Sequence, residues 1–238
     1  GISMKKIGII FAMDEELREL KKYIKITKSY NIFDLKFYEG TINNNICILV
    51  ESGVGKVNAA RCTQILIDKL ETDYIFNIGV AGGISDNLIV GDVILGEKLV
   101  QHDFDITAFN HEKGYIPNTG VYINSNDYLL NLSEEVLSKN NIKYYKGIVA
   151  SGDIFCTDYM MSKKINNKFN ALCVEMEGAA IAQVCYLSKV PFLIIRSISD
   201  VPNNENVKDY EEFLEESSKT VADIMNIIHY ILEIMYKY

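Results

Sequence analysis

Acidic residues at four places in the chain follow apolar, strand-like segments and could transfer protons. They are Asp14-Glu15-Glu16, Asp153, Glu175-Met176-Glu177 and Asp200. The segments that precede them, residues 5–13, 147–151, 171–174 and 191–199, are too apolar for half-solvated strands, so we expect strands covered on both faces. In an α/β sheet, residues at the carboxyl ends of such strands gather into one crevice. The sequence therefore predicts a crevice of carboxyl groups suited to acid and base catalysis.

The same acids also have structural explanations. A carboxylate in the first turn of a helix stabilises the helix dipole, and Asp14, Glu15 and Glu16 begin a predicted helix at 14–23. For one acid alone this explanation is the better one, but it weakens for all four places together. A Mg²⁺ site would usually share its ion with a phosphorylated substrate. Because Arg196 and Lys56 are the only basic residues near a predicted strand end or glycine-rich turn, a neutral substrate fits better.

Two glycine-rich segments, SGVGK at 52–56 and GVAGG at 79–83, are each predicted to form a turn after a strand. Such turns can hold a phosphate on backbone N–H groups, or they can allow the backbone to approach another kind of ligand. Neither segment fits the Walker or the dinucleotide-binding pattern. The residues alone leave both interpretations open.

The order of elements predicts an α/β fold, a three-layer sandwich with a mixed, mostly parallel central sheet flanked by helices. Strands are predicted at 5–12, 34–40, 45–51, 74–80 and 92–100, and helices at 14–23, 53–70 and 221–238, with further strands and helices alternating after 128. The strands at 34–40 and 45–51 are expected to form a hairpin. We expect a single domain over residues 1–238, in which Gly1-Ile2-Ser3 before Met4 is a remnant of protein expression.

Composition excludes several classes of protein. The net charge is −8 and the basic residues form only short pairs, which argues against a nucleic-acid partner. Apolar stretches are interrupted well before the ~18 residues that a membrane helix needs, so no membrane partner is expected. Five cysteines without a C-x-x-C pair indicate core thiols in a reducing compartment, the cytoplasm. A metal site built from them is not expected.

Seven segments carry a resemblance to a known family. They are IGIIFAMDEEL (7–17), SGVGKVNAA (52–60), NIGVAGGI (77–84), HDFDITAF (102–109), ASGDIF (150–155), VEMEGAAIAQVC (174–185) and RSISDV (196–201). In type, order and spacing they resemble the 5′-methylthioadenosine/S-adenosylhomocysteine nucleosidases of the nucleoside phosphorylase superfamily. The resemblance implies a nucleoside phosphorylase-like domain that hydrolyses the N-glycosidic bond of a small nucleoside. Adenine and a 5-thioribose would be released without a cofactor or metal.

The resemblance also assigns catalytic roles to three acids found above. Asp200 would protonate nitrogen 7 of adenine, which requires that it keep its proton near neutral pH, as burial favours. Glu16 would be the base that orients the attacking water. Glu177 would bind the ribose hydroxyls and stabilise the cationic sugar in the transition state.

Further residues would bind the substrate by the same resemblance. Phe155 would stack on adenine, the backbone of Cys156 would read the purine edge, and Met176 would lie under the ribose. Ser199 and Arg196 would support Asp200 and the water. The other residues expected at the site are Met13, Val54 and Tyr210 around the thio tail, together with Val80, Ala81, Gly82 and Glu175. For the apolar residues taken singly, core packing would be the ordinary interpretation.

The chain departs from the family at two positions. Val80 stands where a serine is common in the G-S-A-G-G segment, and His111 stands where an aromatic residue is more usual. The related phosphorylases, AMP nucleosidases and futalosine hydrolases share the fold, and a non-catalytic nucleoside-binding protein is a further alternative. The acids in FAMDEE replace the arginine-containing phosphate loop of the phosphorylases, which favours water as the nucleophile.

A polar loop at 102–117 contains apolar residues that fit no predicted strand or helix. Ile106, Phe109, Tyr115, Ile116 and Pro117 are expected to be exposed, and apolar groups in a loop of this length usually have a partner. In the family this loop crosses a two-fold interface. The resemblance therefore implies a homodimer in which Ile106, Phe109 and Pro117 complete the pocket of the neighbouring subunit.

Overall fold

The computed structural model describes residues 4–12, 14–22, 24–42, 45–201, 211–212 and 229–231. Ten strands are found there: β1 Lys6–Phe11, β2 Lys25–Ile32, β3 Leu35–Ile42, β4 Asn45–Glu51, β5 Tyr74–Gly83, β6 Val93–Gln101, β7 Ile123–Asn124, β8 Tyr144–Ser151, β9 Ala171–Glu175 and β10 Phe192–Asp200. The main helices of these residues are α1 Asp14–Leu20, α2 Lys56–Asp68, α3 Asp127–Lys139, α4 Tyr159–Phe169 and α5 Gly178–Ser188.

The strands form one mixed sheet, as the sequence predicts. Its order is β10-β6-β8-β9-β5-β1-β4-β3-β2, with β7 beside β6. Strand β10 also pairs with β5, so that β5, β10, β6, β8 and β9 close into a ring. Strand β1 pairs in parallel with β4 and β5, whereas β3 and β4 form the predicted antiparallel hairpin. The closure into a ring was not evident from the sequence.

Helices cover the sheet on both faces and form the outer layers. Residues of α2 and α5, such as Leu66 and Ile181, pack with one cluster of buried strand residues, and Leu17 of α1 and Leu137 of α3 pack with another. All nine residues of β10 are buried. This confirms the prediction that the apolar segment before Asp200 is a strand covered on both faces.

The parallel pairing of β5 with β10 positions the site. It places Arg196 beside Gly79 and Asp200 beside Gly82. The register of this pairing shifts between Ile198 and Asp200. Two segments about 120 residues apart therefore meet at the carboxyl end of β5.

Some sequence expectations were wrong. Strand β2 was missed because most of its residues are exposed at the edge of the sheet, so it lacks an apolar signal. Helix α2 begins at Lys56 and not at residue 53. In the loop at 102–117, a short 3₁₀ turn spans Thr107–Phe109, and Ile116 is buried against expectation. Residues 1–3, most of the predicted helix 221–238 and most of the turn between β3 and β4 lie outside the described residues.

Of the helices in the described part of the chain, none has both the length and the apolar character that crossing a membrane requires. All five cysteines are buried free thiols, in agreement with their predicted core positions.

Candidate active site

One cavity lies at the carboxyl ends of β1, β5, β9 and β10. It contains about 690 Å³ of empty space, its open mouth included. Its lining consists of Ala12, Glu16, Val54, Val80, Ala81, Gly82, Ile154, Phe155, Cys156, Val174, Glu175, Met176, Glu177, Arg196, Ser199 and Asp200. Acids from three of the four predicted places therefore share one crevice.

Glu16 reaches this cavity from the first turn of α1, directly after β1. It is only 3% exposed, whereas its neighbours Asp14 and Glu15 face solvent. Asp14 pairs with Arg18 one helical turn later at 2.7 Å. Asp14 thus has a structural role at the start of α1, whereas Glu16 is the member of this acidic run that lines the cavity.

Asp200 ends β10 and is 2% exposed. The Ser199 hydroxyl donates to Asp200 Oδ1 at 2.7 Å. A Cβ atom added at Gly82 would lie 3.3 Å from Asp200 Oδ2, so the absence of a side chain there leaves room for the carboxyl group. The register shift in β10 and the glycine in β5 together place Asp200 in the cavity wall.

Arg196 is fully buried and lies among carboxylates. Its Nη2 is 2.6 Å from Glu175 Oε2, and its Nη1 is 3.7 Å from Glu177 Oε1. The guanidinium also donates to the Asn77 side chain and to the backbone oxygen of Val80. Buried charges require such partners, and the arginine is therefore committed to protein groups.

Glu175 has its two oxygens engaged by the protein. The Ser151 hydroxyl donates to Oε1, and the Gly178 N–H donates to Oε2 at 2.7 Å, beside the Arg196 ion pair. Although it lines the cavity, its contacts are those of a residue that holds Arg196 and the start of α5.

Glu177 is buried and has fewer side-chain partners than Glu175. Its Oε2 accepts a hydrogen bond from the Gly55 N–H at 3.0 Å. Burial raises the pKa of Glu177 to about 7; Arg196 and the Gly55 N–H oppose this rise, and the neighbouring Glu175 adds to it. Its charge is therefore sensitive to pH near neutrality, as is often the case for functional carboxylates.

The segment GVAGG at 79–83 was predicted to be a turn, but it forms the end of β5. Its glycines serve close packing: a Cβ atom at Gly79 would overlap Arg196 Nη1 and would lie 3.5 Å from Glu16 Oε1. The segment at 52–56 does turn, because Gly53 and Gly55 have positive φ angles of 84° and 102°. Gly79 and Gly82 therefore make room for the buried side chains of Arg196 and Asp200, a role that the sequence interpretation did not include.

Asp153 does not join the other acids, contrary to prediction. It is exposed, and its Oδ1 accepts a hydrogen bond from the Lys56 N–H at 2.8 Å. It therefore caps the start of α2, whose own N-cap residue is a glycine without a side chain to do so. The residues after it in the loop, Ile154, Phe155 and Cys156, do line the cavity.

The remaining predicted residues divide into three groups. Val54, Val80, Ala81, Gly82, Phe155, Cys156 and Met176 line the cavity as expected. Met13 and Tyr210 lie outside the described residues. Ile106, Phe109 and Pro117 are not part of the lining of their own subunit's cavity.

Three lining residues, Ala12, Val174 and Ile154, were missed from sequence. Each is next to, or one residue away from, a predicted site residue. Their position beside predicted site residues was the only signal in the sequence. It was not sufficient, because apolar residues are common beside acids wherever a strand ends.

Comparisons with known proteins identify the family of the chain. The family described as the Phosphorylase superfamily matches residues 6–232. A 5′-methylthioadenosine/S-adenosylhomocysteine nucleosidase of Staphylococcus carnosus is 40% identical over 220 residues, which cover 92% of this chain and 96% of the relative. Among solved structures, the Helicobacter pylori nucleosidase of the same name, bound to butyl-thio-DADMe-Immucillin-A, is 32% identical with a TM-score of 0.90, covering 94% of this chain and 98% of its own.

A structure of futalosine hydrolase from Helicobacter pylori is also 32% identical, with a TM-score of 0.92 over 97% of this chain and 98% of that one. The fold and the matched length are thus shared by two kinds of hydrolase. By its family match and its 40% identity to a named relative, the chain belongs to the phosphorylase superfamily and, within it, to the 5′-methylthioadenosine/S-adenosylhomocysteine nucleosidase family.

Proposed function

We propose that this protein hydrolyses the N-glycosidic bond of 5′-methylthioadenosine and S-adenosylhomocysteine, releasing adenine and the 5-thioribose. The observation that carries the proposal is the cavity in which Glu16, Glu177 and Asp200 are buried together. Cleavage of a bond between ribose and a purine passes through a cationic sugar, and it requires one acid for the leaving group and one base for water. The relatives that carry this activity in their name match nearly the whole chain.

In the proposed reaction Asp200 donates a proton to nitrogen 7 of adenine as the bond to the sugar breaks. Since Ser199 donates to Oδ1, we assign the transferred proton to Oδ2. Glu16 accepts a proton from water, whose oxygen bonds to the anomeric carbon. Asp200 then regains a proton and Glu16 loses one to solvent, which restores the starting state.

Glu177 would bind the ribose hydroxyls in its ionised form. A carboxylate beside the sugar stabilises the positive charge that develops in the transition state more than it stabilises the neutral substrate. Phe155 would stack on the purine, and the backbone of Cys156 would read its edge.

Water is favoured over phosphate as the nucleophile by the engagement of nearby cations. Arg196 is bound to Glu175, and the Lys56 ammonium lies 2.8 Å from Asp103 Oδ1. A phosphate would have to compete with these carboxylates for either cation. Among the described residues, no group of three or more His, Cys, Asp and Glu side chains is arranged to hold a metal ion.

The test is the release of adenine from methylthioadenosine in phosphate-free buffer, with products separated by chromatography. We expect adenine and methylthioribose at a rate that added phosphate or EDTA does not change. A ribose 1-phosphate product would instead establish a phosphorylase. Futalosine is the second substrate to assay, because the futalosine hydrolase structure matches as well as the nucleosidase structures do. If futalosine were cleaved and methylthioadenosine were not, futalosine would be the substrate and the proposal would be wrong.

We further propose a cytoplasmic homodimer in which the loop 102–117 completes the neighbouring site. Support comes from Phe109, which is 75% exposed, and from the half-exposed Val54 and Phe155 at the open mouth of the cavity. Burial of these apolar groups would stabilise a dimer. His111 stacks on Tyr115 at 4.4 Å between ring centroids, so the departure at 111 retains a planar ring in this loop.

The dimer proposal is tested with Phe109→Ala. We expect KM to rise more for methylthioadenosine than for adenosine, since only the former would fill the thio pocket. Mixing this variant with Asp200→Asn subunits should restore one complete site in each heterodimer. A fully active monomer of about 27 kDa at nanomolar concentration would contradict the proposal.

A further inference from the structure

Three loops at the mouth of the cavity are joined by Lys56, Asp103 and Asp153, which we call the mouth clamp. Asp103 Oδ1 lies 2.8 Å from the Lys56 ammonium, and Asp103 Oδ2 accepts the Asp153 N–H at 2.9 Å. Asp153 Oδ1 in turn accepts the Lys56 N–H at 2.8 Å. Each member is thus bonded to the other two, although they are separated by 47, 50 and 97 residues in sequence.

Two members of the mouth clamp, Lys56 and Asp153, lie next to residues that contact or form the site. Lys56 follows Gly55, whose N–H donates to Glu177 at 3.0 Å. Asp153 precedes Ile154 and Phe155 in the cavity wall. A movement of the clamp would therefore be transmitted directly to Glu177, the proposed ligand of the ribose hydroxyls. It would also be transmitted to residues 153–156, which carry Phe155 and Cys156 and which we call the purine loop.

The clamp has little room to shift. A Cβ atom at Gly152 would lie 2.5 Å from the His102 ring and 3.1 Å from Asp103 Cγ. The Lys56 ammonium also donates to Gln101 at 3.2 Å, and Gln101 donates to Gln183 of α5 at 2.6 Å. The contacts thus extend from the three loops to a helix of the outer layer.

Burial distinguishes this ion pair from those on the surface. The side chains of Lys56 and Asp103 are 19% and 21% exposed, whereas those of the pair Lys139 and Glu135 are 67% and 50% exposed. Burial alone would raise the pKa of Asp103, but the hydrogen bonds from Lys56 and the Asp153 N–H outweigh it and lower the pKa. Such a pair is worth more than a solvated one, which contributes little.

We propose that Lys56 and Asp103 are positioning residues for the glycosidic cleavage, because their ion pair holds the Gly55 N–H against Glu177 and the purine loop against the cavity. This inference rests on the proposed function and adds residues to it that do not touch the substrate. Without the clamp the Gly55 N–H would move away from Glu177. Burial, Glu175 and Asp153 raise the pKa of Glu177, whereas Arg196 and the Gly55 N–H lower it. Loss of this N–H would therefore raise the pKa of Glu177 further, and the ionised form would be lost at a higher pH.

The test compares Lys56→Met and Asp103→Asn with Lys56→Arg, which keeps the charge, and with Lys139→Met, which removes a lysine from an exposed ion pair. For the first two variants we expect kcat/KM for methylthioadenosine to fall roughly ten- to hundredfold, the range that small displacements of catalytic groups produce. The acid limb of the pH profile of kcat/KM should move to higher pH. Lys56→Arg should retain most of the activity, and Lys139→Met should match the wild type.

Two further measurements separate positioning from general damage. The double variant Lys56→Met/Asp103→Asn should lose much less activity than the product of the two single losses, because both changes remove the same contact. Hydrogen exchange of the free protein should increase in residues 52–56 and 152–156 in both single variants. This second readout needs no substrate.

An unmoved acid limb, or additive losses in the double variant, would overturn the positioning role even if activity fell. Unchanged exchange in both segments would overturn it as well, whatever the substrate is. A wild-type protein that does not cleave methylthioadenosine would count against the proposed function only, since the exchange measurement then decides on the mouth clamp.

Discussion

Replacing Glu177 with glutamine should make the protein more stable and, at the same time, inactive. Glu177 is buried, and its pKa is raised from 4.5 to about 7. Glutamine has nearly the same shape as the protonated acid but cannot ionise. The variant therefore keeps the packing of the site while it removes the cost of burying a negative charge.

The sign of the effect follows from proton binding. Between pH 4.5 and about 7 the folded protein holds the Glu177 proton more tightly than the unfolded chain does, so stability of the wild type falls as pH rises through this window. One pKa unit corresponds to about 1.4 kcal/mol. The difference between the two pKa values thus lowers the free energy of unfolding of the wild type by roughly 3 kcal/mol above this pH window, and it has no effect at pH 4.

The variant should accordingly match the wild type at pH 4 and exceed it at pH 8.5. For a protein of this size, 3 kcal/mol corresponds to a Tm increase of roughly 6–12 °C. The long Arg196 contact to Glu177 at 3.7 Å is weakened, but the contact of Arg196 to Glu175 at 2.6 Å remains. Thermal unfolding at several pH values and one fixed protein concentration measures the effect, since dimerisation would make Tm depend on concentration.

Glu175→Gln is the matched control. That change weakens the short ion pair of a fully buried arginine, so we expect destabilisation at both pH values. Activity of Glu177→Gln should be lost because a neutral amide does not stabilise a cationic sugar. A Tm difference between Glu177→Gln and wild type that is the same at pH 4 and pH 8.5 would refute the reasoning.

Three other variants test the rest of the site. Asp200→Asn should lower kcat by about 10²–10⁴-fold while the Tm stays close to that of the wild type, since an amide cannot protonate the purine; near-normal kcat would remove Asp200 from the mechanism. Gly79→Ala should destabilise the fold by roughly 1–3 kcal/mol and impair turnover, because its methyl group would displace Arg196, and denaturant unfolding that matches the wild type would contradict that packing. Val80→Ser should raise kcat if the hydroxyl common in the family helps to place the water. An unchanged kcat would show that the missing hydroxyl does not limit turnover.

Much of the fold could be predicted from the sequence because the signals are local. The apolar segments before the acids gave β1, β8, β9 and β10, and the order of elements gave a mixed sheet between helices. Strand β2 escaped because an exposed edge strand needs few apolar residues. The ring closed by β5 and β10 escaped because strand pairing between distant segments leaves no local trace.

The sequence by itself determined the chemistry that is available: several carboxyl groups, few basic residues near the predicted strand ends, and a family resemblance that assigns their roles. Only the tertiary structure decided where each group lies. It buried Glu16 and left Asp14 and Glu15 in solvent, and it turned Asp153 away to cap α2. The reason is that burial and ion pairing depend on neighbours brought together by the sheet, whereas a sequence pattern reports only on residues near in the chain.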